Sequence, residues 1–407
     1  MIEDKKMEKN NKFKKPNWFL YFIFRLLSKI ISKLKFNLKI QRNDIKKVKG
    51  PYILLCNHES VIDFLNIVCC TKRRFTIVIS NSFYQSLKIN PLIRRLQVIP
   101  KQQFQTTPID IKKMKNAIKA NRPLLLYPAG LMTENGITTY IPDATGKVVQ
   151  WLNADIYIGK SDGSYFTKPK WGKNFRKGKI TLNVYKLISK EEASKYTVEE
   201  LQKLLYEHLY FNAYENQEKN MVKYKKGNSI EGLENVLYWC PKCKSEFKIK
   251  NKTFDSMICE CCGNEVYMDK YGFLNPKTEN DVCYKHPSDW YNEMYKNLYQ
   301  EVNNNKNYYL ESNALIQMLD YKKHQFKDVT YGKITLNENH FTIYGKFEDE
   351  DCEIVIPIKS FPLLPFKPGK YFEIQDGDKI YRCNLENGYE VSKWINVLKI
   401  FYELNNK

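Results

Sequence analysis

His58 stands five positions before Asp63, directly after the apolar run Tyr52-Ile53-Leu54-Leu55 and a Cys56-Asn57 turn. If a helix starts near Ser60, the histidine occupies the approach loop and the aspartate the first turn, from which its carboxylate reaches back to one imidazole nitrogen. The other nitrogen is then free to take a proton. A neutral histidine held in one tautomer by a carboxylate is a general base suited to pH 7 and contributes about 10²–10⁴ in rate. A His and an Asp at this spacing also arise by chance, so the bare pair does not settle the chemistry. Cys56, close by, sits in a strand pattern and reads as a core thiol.

A second pattern lies far downstream. Of the eleven cysteines, five fall between Cys240 and Cys262, as Cys240-Pro241-Lys242-Cys243, fifteen further residues, then Cys259-Glu260-Cys261-Cys262-Gly263. Two such knuckles place four thiolates, Cys240, Cys243, Cys259 and Cys262, around one tetrahedral Zn²⁺. The segment resembles a zinc ribbon. Four sulfurs close the coordination shell, so the metal is expected to be structural, holding a segment too short for its own core. Cys261 could replace Cys262, but Gly263 favours the Cys259 and Cys262 pair. Unligated thiols are the alternative. Cys283, Cys352 and Cys383 are scattered and read as structural.

Around these residues the chain of 407 residues is long enough for two or three units. Short apolar runs alternate with helical stretches between Tyr52 and Val184. Phe75-Thr76-Ile77-Val78-Ile79, Leu124-Leu125-Leu126-Tyr127, Asp155-Ile156-Tyr157-Ile158 and Ile180-Thr181-Leu182-Asn183-Val184 join the first run as buried strands. The stretch from Ile109 to Ala120 carries apolar residues at helical spacing. This is an α/β domain, a mixed sheet flanked by helices. A capping box at Thr197-Val198-Glu199-Glu200 opens a long helix through about Tyr214, with His208 a half-buried helix residue. Lys219 to Asn228 reads as a linker.

His286-Pro287-Ser288-Asp289-Trp290 offers a turn and a capping serine for another helix. From Thr330 onward the period is two, with a hairpin signal at Asp376-Gly377 and a last amphipathic helix carrying Val391, Trp394, Ile395, Leu398 and Phe401. Antiparallel strands followed by one helix resemble a pleckstrin-homology-like or GRAM-like module. The expected division is residues 1–45, a basic amphipathic segment; 46–218, the α/β domain; 229–275, the zinc ribbon; and 286–407, the β-rich domain.

Lys and Arg outnumber Asp and Glu by 66 to 45, and the formal charge of +21 predicts attraction to a polyanion. Charge alone does not choose among a phospholipid surface, a nucleic acid and a phosphorylated small molecule. From Lys12 to Lys39 the pattern is cationic and helical, with Arg25, Lys29 and Lys33 between Leu26, Leu27, Ile30, Ile31 and Leu34. Such a stripe suits a membrane interface, and a plain packed helix is the alternative. Its longest apolar run, Trp18 to Phe24, is far short of the ~20 residues that span a bilayer. No transmembrane helix and no signal peptide are expected, and the cysteine usage fits a reducing cytoplasm.

The residues around His58 resemble the 1-acyl-sn-glycerol-3-phosphate acyltransferase family. Its first block, Asn-His-x-x-x-x-Asp, is matched by Asn57, His58 and Asp63. Its third, Phe-Pro-Glu-Gly-Thr-Arg-Ser, aligns with Tyr127-Pro128-Ala129-Gly130-Leu131-Met132-Thr133, about 70 residues later. Between them, Ile89-Asn90-Pro91-Leu92-Ile93-Arg94-Arg95 and Val98-Ile99-Pro100-Lys101 occupy the place of the second block. The resemblance covers about residues 45 to 190.

It implies direct acyl transfer from acyl-CoA or acyl carrier protein to a hydroxyl of a lysophospholipid such as 1-acylglycerol-3-phosphate. His58 would be the base and Asp63 its orienter. Asn57, Arg94, Arg95, Lys101, Tyr127, Pro128, Gly130 and Thr133 are the implied substrate contacts. Ala129 replaces the family's glutamate and Met132 its arginine, the residue expected to hold the acceptor's phosphate, and an uncharged Met lacks the forked donors a phosphate prefers. Either Arg94, Arg95 or Lys101 takes over the anion, or the acceptor is not a glycerol phosphate. Thr133 and Glu134 read as polar contacts or as exposed loop residues.

The expectation is a peripheral acyltransferase at the cytoplasmic face of the membrane, whose partners are an anionic phospholipid surface, a lysophospholipid acceptor and an acyl thioester donor, with nucleic acid not expected. The competing reading is a catalytically lapsed lipid-binding scaffold, or a zinc-ribbon module for nucleic acid or protein. Retention of both His58 and Asp63 speaks against lapse.

Overall fold

A computed structural model describes residues 16–86, 95–104, 106–347 and 350–406. The N-terminal part is a seven-stranded mixed sheet of β1 (Leu38–Asn43), β2 (Tyr52–Cys56), β3 (Thr76–Ser80), β4 (Ile99–Lys101), β5 (Leu124–Leu126), β6 (Asp155–Asp162) and β7 (Ile180–Ile188). The order across the sheet is β1-β7-β6-β2-β5-β3-β4. β2 is central, parallel to both β5 and β6, and every one of its residues is buried. That burial on both faces explains its unbroken apolar run. Only the β6–β7 pair is antiparallel.

Two apolar layers cover the sheet. One includes Ile53, Leu55, Met114, Val149, Leu201 and Leu205, brought by helices α3 (Pro108–Lys119), α4 (Thr145–Leu152) and α5 (Val198–Leu209). The other joins Leu54, Ile67, Phe75 and Leu182 beneath α1 (Trp18–Leu34) and α2 (Asp63–Val68).

The cationic helix ends at Leu34, short of the expected Lys39, because Asn37 takes a left-handed conformation at φ 47° and Leu38 onward pairs with β7 as β1. α1 buries Tyr21, Ser28 and Ser32, whereas Trp18, Phe22, Leu26 and Leu34 face out with exposures of 68%, 54%, 47% and 65%. Among the described residues no helix is long and apolar enough to cross a membrane.

The helix expected through Tyr214 is two: α5 stops at Leu209, and Asn212 caps a second, α6 (Ala213–Asn220), by accepting from the amides of Tyr214 and Glu215. His208 lies on α5, its Nδ1 2.9 Å from the Tyr185 hydroxyl. Lys219 to Asn228 is no loose linker, since Tyr224 is buried against Phe166 and Lys225 bridges to Lys177.

A four-stranded antiparallel sheet follows, β8 (Ile249–Asn251), β9 (Ser256–Cys259), β10 (Glu265–Met268) and β11 (Leu274–Pro276). Helix α7 (Pro287–Asn304) starts at Pro287 with His286 as its cap residue, and the expected capping serine, Ser288, is instead buried. The C-terminal part is a seven-stranded antiparallel sheet in the order β15-β14-β13-β12-β18-β17-β16. Its strands are β12 (Leu310–Asp320), β13 (Gln325–Leu336), β14 (His340–Phe347), β15 (Glu350–Pro357), β16 (Phe366–Lys367), β17 (Tyr371–Asp376) and β18 (Lys379–Leu385). Helix α8 (Val391–Asn405) covers one face through Trp394, Ile395, Leu398 and Phe401. β12, missed in the sequence pattern, pairs with both β13 and β18 and so joins the two halves of this sheet.

The three parts share contacts. Leu131, Phe104 and Tyr140 of the N-terminal part pack into the C-terminal core. Trp171 packs among the ribbon residues with Trp290 of α7.

Candidate active site

The loop between β2 and α2 is pinned from several sides. Asp63 Oδ2 accepts from the amides of Glu59 and Ser60, each at 2.8 Å, and lies 3.0 Å from His58 Nδ1. An oxygen already accepting two N–H groups meets the imidazole as an acceptor, so Nδ1 carries the proton and Nε2 keeps its lone pair. The two amides belong to the turn that leads into the helix, which is why a carboxylate at its first residue is held so closely. Thr133 N donates to His58 O at 3.1 Å, tying the first-block loop to the third-block turn. The His58 ring packs on Tyr127 with centroids 4.5 Å apart.

Asn57 is spent on the scaffold. Its Oδ1 accepts from Ser161 N at 2.8 Å, and its Nδ2 donates to Ser161 O and Glu59 Oε1, both at 2.9 Å. The expected substrate contact at Asn57 is therefore corrected to a brace, because every polar atom of its side chain is engaged inside the protein. Thr133 is corrected likewise: it is buried, and its hydroxyl accepts from Gly136 N at 3.0 Å. Glu134, too, is buried rather than exposed, and accepts from the Tyr291 hydroxyl at 2.7 Å.

Glu59 was not singled out in the sequence, yet it is buried, accepts from Tyr165 N at 2.9 Å, and has its carboxyl pushed well up by burial and by Asp63 and Asp162. Its position beside His58 was the available signal. Cys56 is a buried thiol in β2, raised by the same burial.

His58 opens on a cavity of about 760 Å³. Tyr127, Pro128, Gly130 and Met132 line it from the third-block turn, and Tyr21, Phe24 and Leu27 from α1. Gly130 adopts φ 67° and its amide donates to Tyr127 O at 2.9 Å, so the glycine serves the turn. Lys101 lines the cavity, donates to Gln102 O at 3.1 Å, and has its ammonium lowered by burial. Arg95 is exposed and outside the lining, and Arg94 lies outside the described residues. Residues that the sequence does not link to the site complete the wall: Lys170 from the segment after β6, and Phe366, Tyr371, Glu373 and Arg382 from the C-terminal sheet. No local spacing links these to His58.

In the ribbon, the sulfurs of Cys240, Cys243, Cys259 and Cys262 lie within 4.8 Å of one another, and Cys261 is exposed. Cys240 and Cys262 are 3.8 Å apart, Cys243 and Cys259 3.7 Å. A tetrahedral site with Zn–S bonds of about 2.3 Å has S···S edges of about 3.8 Å, so the donor set fits a metal such as zinc. The amides of Lys244 and Gly263 donate back to the Cys240 and Cys259 carbonyls, each at 2.9 Å, forming the two turns that aim the thiols inward.

Comparison with known proteins places residues 37–159 in the family model described as Acyltransferase. Among solved structures, the crystal structure of the 1-acyl-sn-glycerophosphate (LPA) acyltransferase PlsC from Thermotoga maritima is similar, at 16% sequence identity and a TM-score of 0.40. The match covers 46% of this chain and 76% of that one.

Proposed function

We propose, from the match of residues 37–159 to the Acyltransferase family model, that the enzyme moves a fatty acyl group from acyl-CoA or acyl carrier protein to a hydroxyl of a lysophospholipid such as 1-acylglycerol-3-phosphate. The observation that carries this reading is the His58–Asp63 pair, 3.0 Å apart, at the edge of a cavity of about 760 Å³ whose walls are largely apolar side chains. His58 Nε2 takes the proton of the acceptor hydroxyl as its oxygen attacks the thioester carbonyl. Asp63 stabilises the imidazolium, the C–S bond breaks, and the thiolate leaves with the proton from Nε2. The acyl group goes straight from sulfur to oxygen, with no enzyme nucleophile. Tyr127, Pro128 and Gly130 contact the reactants, whereas Asn57 and Thr133 hold the loop.

The exposed apolar side chains of α1, with Arg25, Lys29 and Lys33 on the same helix, support docking on an anionic phospholipid surface as a peripheral protein at the cytoplasmic face. A single Zn²⁺ held by Cys240, Cys243, Cys259 and Cys262 would be structural, because four thiolates leave no position open for substrate. The proposed units are residues 1–45, 46–218, 229–275 and 286–407, with β1 joining the sheet of the second through its pairing with β7, and the last is read as a pleckstrin-homology-like module from its antiparallel sheet capped by α8.

Purified protein assayed with radiolabelled acyl-CoA, and separately with radiolabelled acyl-acyl carrier protein, against a panel of lysolipids tests the reading. Transfer that vanishes in His58→Ala is expected. Absence of transfer by the wild type with every acceptor and with both donors, or full activity in His58→Ala, overturns it.

A further inference from the structure

Met132 lines the cavity where a forked cation would face an anionic acceptor, so charge for that purpose has to come from elsewhere in the wall. Three described cations line it. Arg382 is committed: Glu373 Oε1 accepts from its Nε and Nη2 at 3.2 and 2.7 Å, and its guanidinium lies over the rings of Phe326 and Tyr371 at 3.6 and 4.0 Å. Lys101 donates to the Gln102 carbonyl. Lys170 is different. Its Nζ rests 3.3 Å from the centre of the Phe366 ring, and among the described residues no oxygen accepts a hydrogen bond from it.

Burial brings this ammonium down to about 8, against the pull of Glu134. Glu134 Oε1 accepts from the Tyr291 hydroxyl, its Oε2 is buried without a hydrogen-bond partner among the described residues, and burial pushes its carboxyl up toward the neutral form. The result is a desolvated cation in the cavity wall without a full counter-charge, an arrangement that favours an incoming anion. Its place relative to the chemistry is set by a local tie, since the Ser60 hydroxyl, inside the first-block loop, donates to the carbonyl of Lys168 at 2.7 Å, two residues before Lys170.

Resting on the acyltransferase reading above, we propose that Lys170 binds the phosphate of the acyl acceptor, and that Phe366 of the C-terminal sheet holds its ammonium in place for that task. One lysine between apolar walls suits the single phosphate of a lysophospholipid. The several phosphates of coenzyme A call for more cations than this part of the wall presents. The β-rich region is thereby part of the acceptor site. The ring and the cation share one surface, which a ligand oxygen can reach from the cavity side.

The experiment measures KM and kcat for acceptor and donor separately, with 1-acylglycerol-3-phosphate and acyl-CoA, in the full-length protein and in Lys170→Met, whose side chain has similar length and can lie on the same ring. The acceptor KM is expected to rise about tenfold or more, as for the loss of a hydrogen bond to a charged group, with kcat within about twofold. The donor KM stays unchanged. Phe366→Leu, read beside it, is expected to raise the acceptor KM about threefold, the scale of one cation–π contact. An unchanged acceptor KM in both variants overturns the proposal, and so does a rise confined to the donor, which would assign the cation to coenzyme A. Should Lys170→Met not fold, Phe366→Leu alone decides, its acceptor KM unchanged being the overturning result. Wild-type activity with normal kinetics in the variants sinks only this inference, whereas an inactive wild type sinks the functional reading beneath it.

Discussion

Two parts of the cavity wall are built in opposite ways. In one, His58, Asp63, Glu59 and Ser60 come from a single turn between β2 and α2, and backbone amides of that turn hold the carboxylate. In the other, Lys170 and the pair Phe366 and Arg382 come from segments about 200 residues apart, joined by ring contacts and one ion pair. A catalytic pair needs its atoms fixed within a few tenths of an ångström, which short loops deliver. A binding wall tolerates looser placement and is assembled wherever surfaces meet.

The sharpest break of this comparison is in the catalytic part. His58→Ala is expected to lower kcat by about 10²–10⁴ with an unchanged thermal transition, checked by steady-state rates beside calorimetry. A fall in rate accompanied by unfolding would make the loop a structural feature only. Removing the metal tests what holds the second part of the wall in place. Cys240→Ser is expected to abolish the binding of one zinc per chain, measured by metal analysis, and to lower the unfolding temperature, because Trp171, Trp239 and Trp290 pack around the ribbon. Equal metal content in wild type and variant would exclude the four-sulfur site.

Asp63→Asn keeps the shape but removes the charge facing the imidazolium, and is expected to cost about 10–10² in kcat, the worth of a charge-assisted hydrogen bond. A loss as deep as that of His58→Ala would mean that the asparagine misorients the ring. The last effect lies outside the cavity. Phe22→Asp on the outer face of α1 is expected to reduce partition onto anionic vesicles by roughly tenfold or more, given about 1.5–3 kcal/mol for burying such a side chain, with turnover on soluble short-chain substrates preserved. Sedimentation showing unchanged partition would remove α1 as the membrane contact.

Much of the catalytic part was legible because its information is local. The strand before Asn57, the His58 to Asp63 spacing and the glycine turn at Gly130 depend on neighbours in sequence, and so does the pairing of cysteine knuckles across one short sheet. Lysines and leucines continue the pattern of the cationic helix past Leu34, and nothing in that pattern announces the left-handed Asn37 or the pairing of β1 with β7. Polar residues in a motif likewise invite a substrate contact at Asn57 and Thr133. Only the fold shows Ser161 and Gly136 consuming their hydrogen bonds.

Residue types and spacing were enough to single out the His58–Asp63 pair, the sulfur quartet and the alternation of strands and helices, since each is encoded within a few residues or one repeating period. Tertiary packing alone decided which polar side chains face the cavity and that the C-terminal sheet supplies part of its wall. It also decided that Lys170 is left without an accepting oxygen among the described residues. The reason is that desolvation and charge pairing depend on distances between segments remote in the chain, and those distances exist only once the sheets have closed on one another.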